Sequence, residues 1–596
     1  MDIEELNSSI DEYDNVTILY YKNYMKNPDN SFNILLKDTL RGCSTHKLNK
    51  IILRKSYLNL VEKNMLEMND TFLKTLIKKP NKSFSGIMSV SILTSPYPSW
   101  TDDNGNKTIQ QFSCKHDCYF CPDERNEKDE MVMPRSYLSN EPACRRGLRN
   151  NFEPIEQIYD RLHSLEIQGH PLDKLELIVL GGTVLEYPRE YLEYFTRQCF
   201  YICNNYPLKK GRDMLSLEEE QLLNETSKIR VIGLTLETRP DGINHESIHF
   251  LRRLGVTRMQ IGIQHTNNRL LKKVNRGHTI EDSIHAIKLL KDSGFKVIAH
   301  LMPDLPGATE EDDMNMFKEI LTNSDLLCDE YKIYPCVATD FTVIQKWANQ
   351  GKYIPNADRD PEYLQRVIGY YMKNVQPWVR VPRIIRDIPN DYISHGNRNG
   401  NLREIIDNQN PDSSEIRKRE IRNTKLAEQP ILIVDKFESS DFIEYFIRYE
   451  SSDRKNILGF CRLRLGHLNN PFLPELNNCA IIRELHVYGK TTIVNKHSGG
   501  VQHLGLGQKL VKKAEWISLY NGYSNLCITS GIGVREYYKK KLGYHLEGMY
   551  MKKNIRLSFL YKILIIFLLI FLLIFLLIFL LIRIDYFKVF RSISNL

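Results

Sequence analysis

Residues 174–182 read KLELIVLGG, a short apolar run that stops at two glycines. Four later runs repeat the pattern: IRVIGLTLE (229–237), TRMQIGIQ (257–264), FKVIAHLMP (295–303) and EYKIYP (330–335). Each is rich in apolar and β-branched residues and is ended by Gly, Pro or a charge, which marks buried strands. Between them, HESIHFLRRLG (245–255) and IEDSIHAIKLLKDSG (280–294) space their apolar residues for helices and end on a glycine suited to a C-cap. Repeated βα units of this kind predict a parallel sheet, closed as a full or partial barrel or left open and doubly wound. Parallel barrels build their sites at strand C-termini. Gly181, Gly182, Thr183, Glu237, Gln264, Met302 and Lys332 all fall at or just beyond such ends and are candidate site residues.

Upstream of the first run lies SCKHDCYFCP (113–122), with Cys114, Cys118 and Cys121 at intervals of four and three. A loop of this length can wrap three thiolates around a cubane cluster, each binding one iron and leaving the fourth iron open. The open iron can chelate the amino and carboxylate groups of S-adenosylmethionine. An electron from the cluster then splits the carbon–sulfur bond, and the resulting radical removes hydrogens that no side-chain base can take. The other reading is a zinc site completed by Cys144 or a histidine.

Downstream, residues 400–430 are polar and charged and read as a linker or bridging segment. From Pro430 the character changes. FIEYFIRYE (442–450), ILGFCRLRL (457–465) and AIIRELHVYG (480–489) alternate like antiparallel strands. QHLGLG (502–507) then opens a helix, a place where backbone N–H groups cradle a pyrophosphate. Tyr537 and Tyr538, in a short helix that follows, are either polar active-site groups or ordinary core and rim aromatics.

The chain has 596 residues, enough for two or three domains, with 42% hydrophobic and 26% charged residues and a formal net charge of +8. That mild excess permits a polyanionic partner without requiring one. Twelve cysteines in a chain that opens on an acidic, polar stretch point to a reducing compartment rather than secretion. Residues 563–582 contain only Ile, Leu and Phe, long enough as a helix to cover roughly 30 Å, after Lys552, Lys553, Arg556 and Lys562. This reads as a transmembrane tail anchor that leaves the protein on the cytoplasmic face of an intracellular membrane, or as a low-complexity extension.

The cysteine spacing, with Tyr119 and Phe120 in its second gap, is similar to that of radical-SAM enzymes. QHLGLG resembles motif A of GNAT acetyltransferases. Their succession resembles the family of the Elongator catalytic subunit, a tRNA wobble-uridine modifier, over residues 85–554. The runs that carry the likeness are PRSYLSNEP (134–142), KLELIVLGGT (174–183), GLTLETRPD (233–241), NRGHT (275–279), HLMPDLPG (300–307), KIYP (332–335), RDIP (386–389), GNLRE (400–404), RELHVYG (483–489), HLGLGQKL (503–510) and GVREYY (533–538).

The resemblance implies an α/β chain: a basic helical region (1–83), a partial (βα) barrel of radical-SAM type (84–400), a linker (401–430), a GNAT domain (431–554) and the hydrophobic tail (555–596). It implies a 4Fe–4S cluster on Cys114, Cys118 and Cys121, with S-adenosylmethionine and acetyl-CoA. Gly181, Gly182, Thr183, Glu237, Gln264, Met302, Lys332, Glu484, Leu485, His486, Val487, Gln502, Leu504, Gly505, Leu506, Gly507 and Tyr537 are then the cofactor-binding positions. Lys332, Tyr537 and Tyr538 would act on the acetyl group or the adenosine moieties. In that chemistry a methyl hydrogen of acetyl-CoA is abstracted, the carbon radical adds to carbon 5 of uridine, and thioester hydrolysis leaves 5-carboxymethyluridine. tRNA is the implied partner, with Elongator-like subunits, and a homodimer stays open. The basic segments before Ser85, with Arg383, Arg386 and Arg403, are either phosphate contacts or solvated charges.

This chain departs from the family in its tighter first cysteine interval, in Ser413 where a cysteine usually stands, and in an extra lysine in YYKKKLGY (537–544). Two other functions compete. One is a protein-lysine acetyltransferase using Glu484 as base, which leaves the cysteines without a purpose. The other is a non-catalytic, membrane-tethered tRNA-binding scaffold.

Overall fold

The computed structural model describes residues 10–41, 48–83, 85–102, 104–422, 428–469, 472–488, 505–560, 564 and 567–578. Seven strands form one all-parallel sheet in sequential order: β1 (Met88–Leu93), β2 (Lys174–Leu180), β3 (Arg230–Thr238), β4 (Arg258–Gln264), β5 (Lys296–Leu301), β6 (Glu330–Ile333) and β7 (Arg380–Arg383). Among the described residues β1 and β7 do not pair, so this is a half-barrel. The five strands expected from residues 174–335 are present. β1 and β7 were not anticipated, because one is an alternating six-residue run and the other carries a proline.

Helices cover the outer face. Two of them, α1 (His245–Arg253) and α2 (Ile280–Asp292), each start with a capping box, at Asn244 with Ser247 and at Thr279 with Asp282. Gly255 (φ +85°) and Gly294 (φ +81°) follow them in the left-handed region. The helices between Asp14 and Thr75 make a separate small bundle around Tyr20, Leu53, Tyr57 and Phe72.

The second sheet runs β8 (Ile431–Ser439), β9 (Phe442–Glu450), β10 (Ile457–Leu465), β11 (Cys479–Val487), β12 (Asn525–Ile528), then β14 (Tyr550–Asn554) and β13 (His545–Glu547). All pairs are antiparallel except β11 with β12, which run parallel for only four residues, from Cys479 to Ile482. Helix α3 (Leu506–Tyr520) packs on this sheet through Leu510, Val511 and Ala514, and α4 (Arg535–Leu542) closes its end. The segment before it is no loose linker: Leu402, Ile406 and Ile416 are buried, and Arg403 binds Glu415 and the Val381 carbonyl.

The two sheets share one interface of buried charge. Arg483 on β11 grips Asp329 with both terminal nitrogens at 2.7 Å and Glu444 at 2.5 Å. Arg464, fully buried, holds Asp292 at 2.6 Å and Glu444 at 2.9 Å. Apolar residues continue the contact, since Leu473, Ile481, Ile532 and Tyr550 belong to the core of the half-barrel.

The transmembrane expectation for residues 563–582 is corrected. Among the described residues no helix is long and apolar enough to cross a membrane. Within the run, residue 564 and residues 567–578 are helical. Residues 563, 565, 566 and 579–582 lie outside the described residues.

Candidate active site

Tyr119 and Phe120, inside the cysteine loop, hold it in place. Tyr119 N–H donates to Val274 O at 3.0 Å, its carbonyl accepts from Ile344 N–H at 3.1 Å, and both rings pack beside Leu270, Val274 and Met302. Apolar anchoring of the gap residues thus turns the three sulfurs into a cavity of about 880 Å³ at the C-terminal ends of the strands. Cys118 Sγ accepts from two guanidinium groups, Arg276 Nη1 at 3.5 Å and Arg239 Nη1 at 3.6 Å. Arg239 is aligned by Asp241 at 3.0 Å, and Arg276 by the Gly262 carbonyl at 2.8 Å. Cys114 Sγ lies 3.7 Å from Thr183 Oγ1. Burial pushes the Cys121 thiol up to about 11, with Arg135 pulling against it.

This donor set fits an iron–sulfur cluster. Three thiols face a space ringed by Arg135, Arg239 and Arg276, the counter-charge that a thiolate-bound cluster requires. It fits a single zinc poorly. Among the described residues no three His, Cys, Asp or Glu side chains stand close enough to hold one ion, and Cys144 is buried in a separate cluster with Leu93, Met133 and Tyr137.

The strand-end candidates meet in the same cavity. Gly181 and Gly182 donate their N–H groups to Glu237 Oε1 at 3.1 and 2.8 Å, and Tyr137 donates its hydroxyl to the same oxygen. No side chain fits at either glycine: a Cβ would lie 2.0 Å from Thr94 Oγ1 at Gly181 and 2.8 Å from the Arg135 carbonyl at Gly182. Gln264 adopts φ +69° and leaves its Oε1 buried without a partner among the described residues, as does Thr238 Oγ1. Such orphaned acceptors suit a polar ligand. Lys332 donates to Gln260 Oε1, which His300 Nε2 also contacts at 2.9 Å. Burial pulls the Lys332 ammonium down to about 8, with Glu237 opposing.

On the second sheet the candidates divide. Glu484 points at the half-barrel, bound by Lys296 at 2.7 Å and Arg462 at 2.9 Å, and these cations with Arg258 overrule burial and hold its carboxyl far below the usual range. It has no free carboxylate with which to serve as a base. His486 lies beside it, its Nε2 buried and unpartnered among the described residues, and burial lowers it to about 3. Leu485 and Val487 face the opposite way, toward α3. The Tyr537 hydroxyl comes within 2.9 Å of where a Cβ on Gly507 would sit, and Val487 within 3.7 Å. Gly505 (φ +64°) and Leu506 begin that helix. Gln502 and Leu504 lie outside the described residues. Tyr538 packs in the core, 5% exposed among Leu542, Tyr544 and Met551.

Of the phosphate candidates, Arg386 binds Glu141 at 2.6 Å and stacks on Tyr137, and Arg403 is held by Glu415 at 2.7 Å. Arg383, at the rim, is exposed and pairs with Asp387. Sequence reading gave no individual role to Arg239, Arg276, Tyr137, Gln260 or His300. All five sit inside quoted runs, but only the fold shows which of them reach a sulfur or a cavity wall.

A half-barrel of parallel strands with three cysteines at its C-terminal face defines the radical-SAM class. Residues 109–320 match the radical SAM superfamily, and residues 328–410 match the radical SAM C-terminal domain. The tRNA uridine(34) acetyltransferase of Methanocaldococcus infernus is 38% identical over 496 residues, 80% of this chain and 88% of that protein. Elongator complex protein 3 of Drosophila melanogaster is 33% identical over 496 residues, 81% of this chain and 86% of that protein. The solved archaeal Methanocaldococcus infernus Elp3 with an N-terminal deletion aligns with a TM-score of 0.65 at 35% identity, covering 79% of this chain and 99% of that one. The chain belongs to the Elongator complex protein 3 family and is a radical-SAM enzyme, with a 4Fe–4S cluster and S-adenosylmethionine as its cofactors.

Proposed function

We propose that this enzyme modifies the wobble uridine of tRNA, placing a carboxymethyl group derived from acetyl-CoA on carbon 5. The observation that carries the reading is the convergence of Cys114, Cys118, Cys121, Glu237, Gln264 and Lys332 on one cavity, against which a second α/β unit is locked. Cys114, Cys118 and Cys121 would hold the cluster, and Gly181, Gly182, Thr183, Glu237, Gln264 and Met302 would line the S-adenosylmethionine site. When bound, the pair supplies one-electron chemistry and a hydrogen-abstracting radical. Lys332 presents a desolvated cation on the cavity wall, where it can hold a carbonyl or uracil oxygen. The boundaries 1–83, 84–400, 401–430 and 431–554 remain the proposed division of the chain.

The second unit is proposed as a GNAT domain. In support, β11 continues for five residues past its last pairing with β12, which leaves a splayed edge along residues 483–487. The start of α3 at Gly505, Leu506 and Gly507 lies against Tyr537, where backbone N–H groups can take a pyrophosphate. The N-terminal bundle, with Arg383, offers the phosphate contacts for tRNA, and Elongator-like subunits are further candidate partners. The lysine-acetyltransferase reading loses its base because Glu484 is engaged on both oxygens.

Anaerobic reconstitution with S-adenosylmethionine, dithionite, acetyl-CoA and tRNA is expected to yield 5′-deoxyadenosine and 5-carboxymethyluridine, both abolished by Cys118→Ala. Acetylated histone without either product would sink the proposal. A pH profile tests Lys332. Its ammonium is charged below about 8 and neutral above it, so uridine product should decline as pH rises through about 8. Lys332→Arg, which stays charged, should move that decline to higher pH; an unmoved limb would assign it to another group.

A further inference from the structure

Inward side chains of a parallel barrel ordinarily interdigitate and fill the lumen. Here the lumen is hollow and polar. The 880 Å³ cavity that starts at the cysteines is bordered along its length by Ser91, Glu176, Thr235, Gln260, His300 and Glu330, from six different strands. It reaches the opposite mouth as well, since Arg258, Glu330 and Arg380 in its wall are the first residues of β4, β6 and β7. From Arg258 to Gln264 that is about 20 Å at ~3.3 Å per residue.

The second unit docks on this far mouth. Glu484 lies 3.7 Å from Arg258 and 2.7 Å from Lys296, and Lys296 is 2.6 Å from Glu330, which stands 3.9 Å from Arg380. The mouth is thus rimmed by alternating charges, one of them supplied by β11. Two residues along β11 stands His486 with its unpartnered Nε2, and three along is Val487, against the start of α3.

We propose that the lumen of the half-barrel is the path along which an acyl-pantetheine arm, anchored on the second unit, carries its thioester from the strand N-termini to the cysteine end. The inference rests on the acetyl-CoA reading above. A pantetheine arm is thin and carries two amides and a hydroxyl, which the Ser, Thr, Gln and His groups of the wall can satisfy. The arrangement gives the acyl donor and the nucleic acid separate openings at opposite ends of one cavity.

The test places a cysteine in the wall. Cluster-loaded Ser91→Cys, incubated with a coenzyme A pyridyl disulfide, should form a mixed disulfide detectable by mass spectrometry, with excess acetyl-CoA slowing it at least about tenfold. The surface control Thr322→Cys should react without that protection. A lumen plug, Ser91→Phe, should still yield 5′-deoxyadenosine while uridine product falls at least about tenfold. Labelling of Ser91→Cys that acetyl-CoA does not slow, or full product from Ser91→Phe, would overturn the path. Failure of the wild type to carboxymethylate uridine would instead count against the proposed function, and the disulfide result would still decide the path.

Discussion

Gly531→Ala is expected to undock the second unit from the half-barrel. Its backbone is ordinary (φ −65°, ψ 152°), so the demand for glycine here is one of space. A Cβ would lie 2.0 Å from the Ile232 carbonyl oxygen and 2.4 Å from its carbon, both backbone atoms of β3 that no rotamer change can move. Gly533 repeats the contact, its Cβ position 2.5 Å from that of Arg230. Arg535 and Lys539 clamp the same seam through Glu225 at 3.3 and 2.6 Å. Overpacking of this kind costs about 3 kcal/mol or more when backbone must shift. Chemical denaturation should show a lowered midpoint, and limited proteolysis should release the second unit early. Gly400→Ala, with nothing within 4 Å, is the neutral control. A Gly531→Ala protein with the wild-type midpoint would show that the seam yields.

Asp329→Ala should destabilise the chain nearly as much, for an electrostatic reason. Removing the carboxylate strands Arg483, which is buried and grips it twice, and deprives Arg462 of a partner at 3.5 Å. Breaking one side of a buried pair costs about 3–5 kcal/mol, whereas the exposed pair Arg366–Glu310 should cost under ~1 kcal/mol. Burial alone would raise the Asp329 carboxyl, but Arg483 and Arg462 overrule it and hold it far below the ordinary value, and Glu444 is held low by Arg483 and Lys291 in the same way. For carboxyls depressed in the fold, the stabilisation is complete above the unfolded values near ~4 and drains as pH falls below them. Acid titration of the wild type should therefore weaken the interface from about pH 4 downward, and Asp329→Ala should flatten that dependence. An unaltered acid limb would place it elsewhere.

The cysteine loop and the central strands were legible because their signals are local. Three thiols within eight residues and apolar runs ended by Gly-Gly depend on neighbours in sequence, as do the capping boxes at Thr279 and Asn244. β1 and β7 were not legible, because they are strands only by virtue of the edges they pair with. Tyr537 and Tyr538 show the same limit at one residue's resolution. Adjacent in sequence, they are split by the helix turn, one toward Gly507 and one into the core. The apolar run at residues 563–582 lies partly outside the described residues, and among those described no helix is long and apolar enough to cross a membrane.

By itself the sequence determined the chemistry on offer: the cysteine triplet, the glycine pair after KLELIVLGG, and the family to which their order points. The tertiary structure decided how those pieces act on one another. It turned Arg239 and Arg276 onto Cys118, withdrew Glu484 into an ion pair with Lys296, and set a second sheet over the open mouth of a hollow half-barrel. Ligand type and strand period are written in short segments. Burial, charge pairing and the continuity of a cavity depend on residues hundreds of positions apart, which only the packed chain brings together.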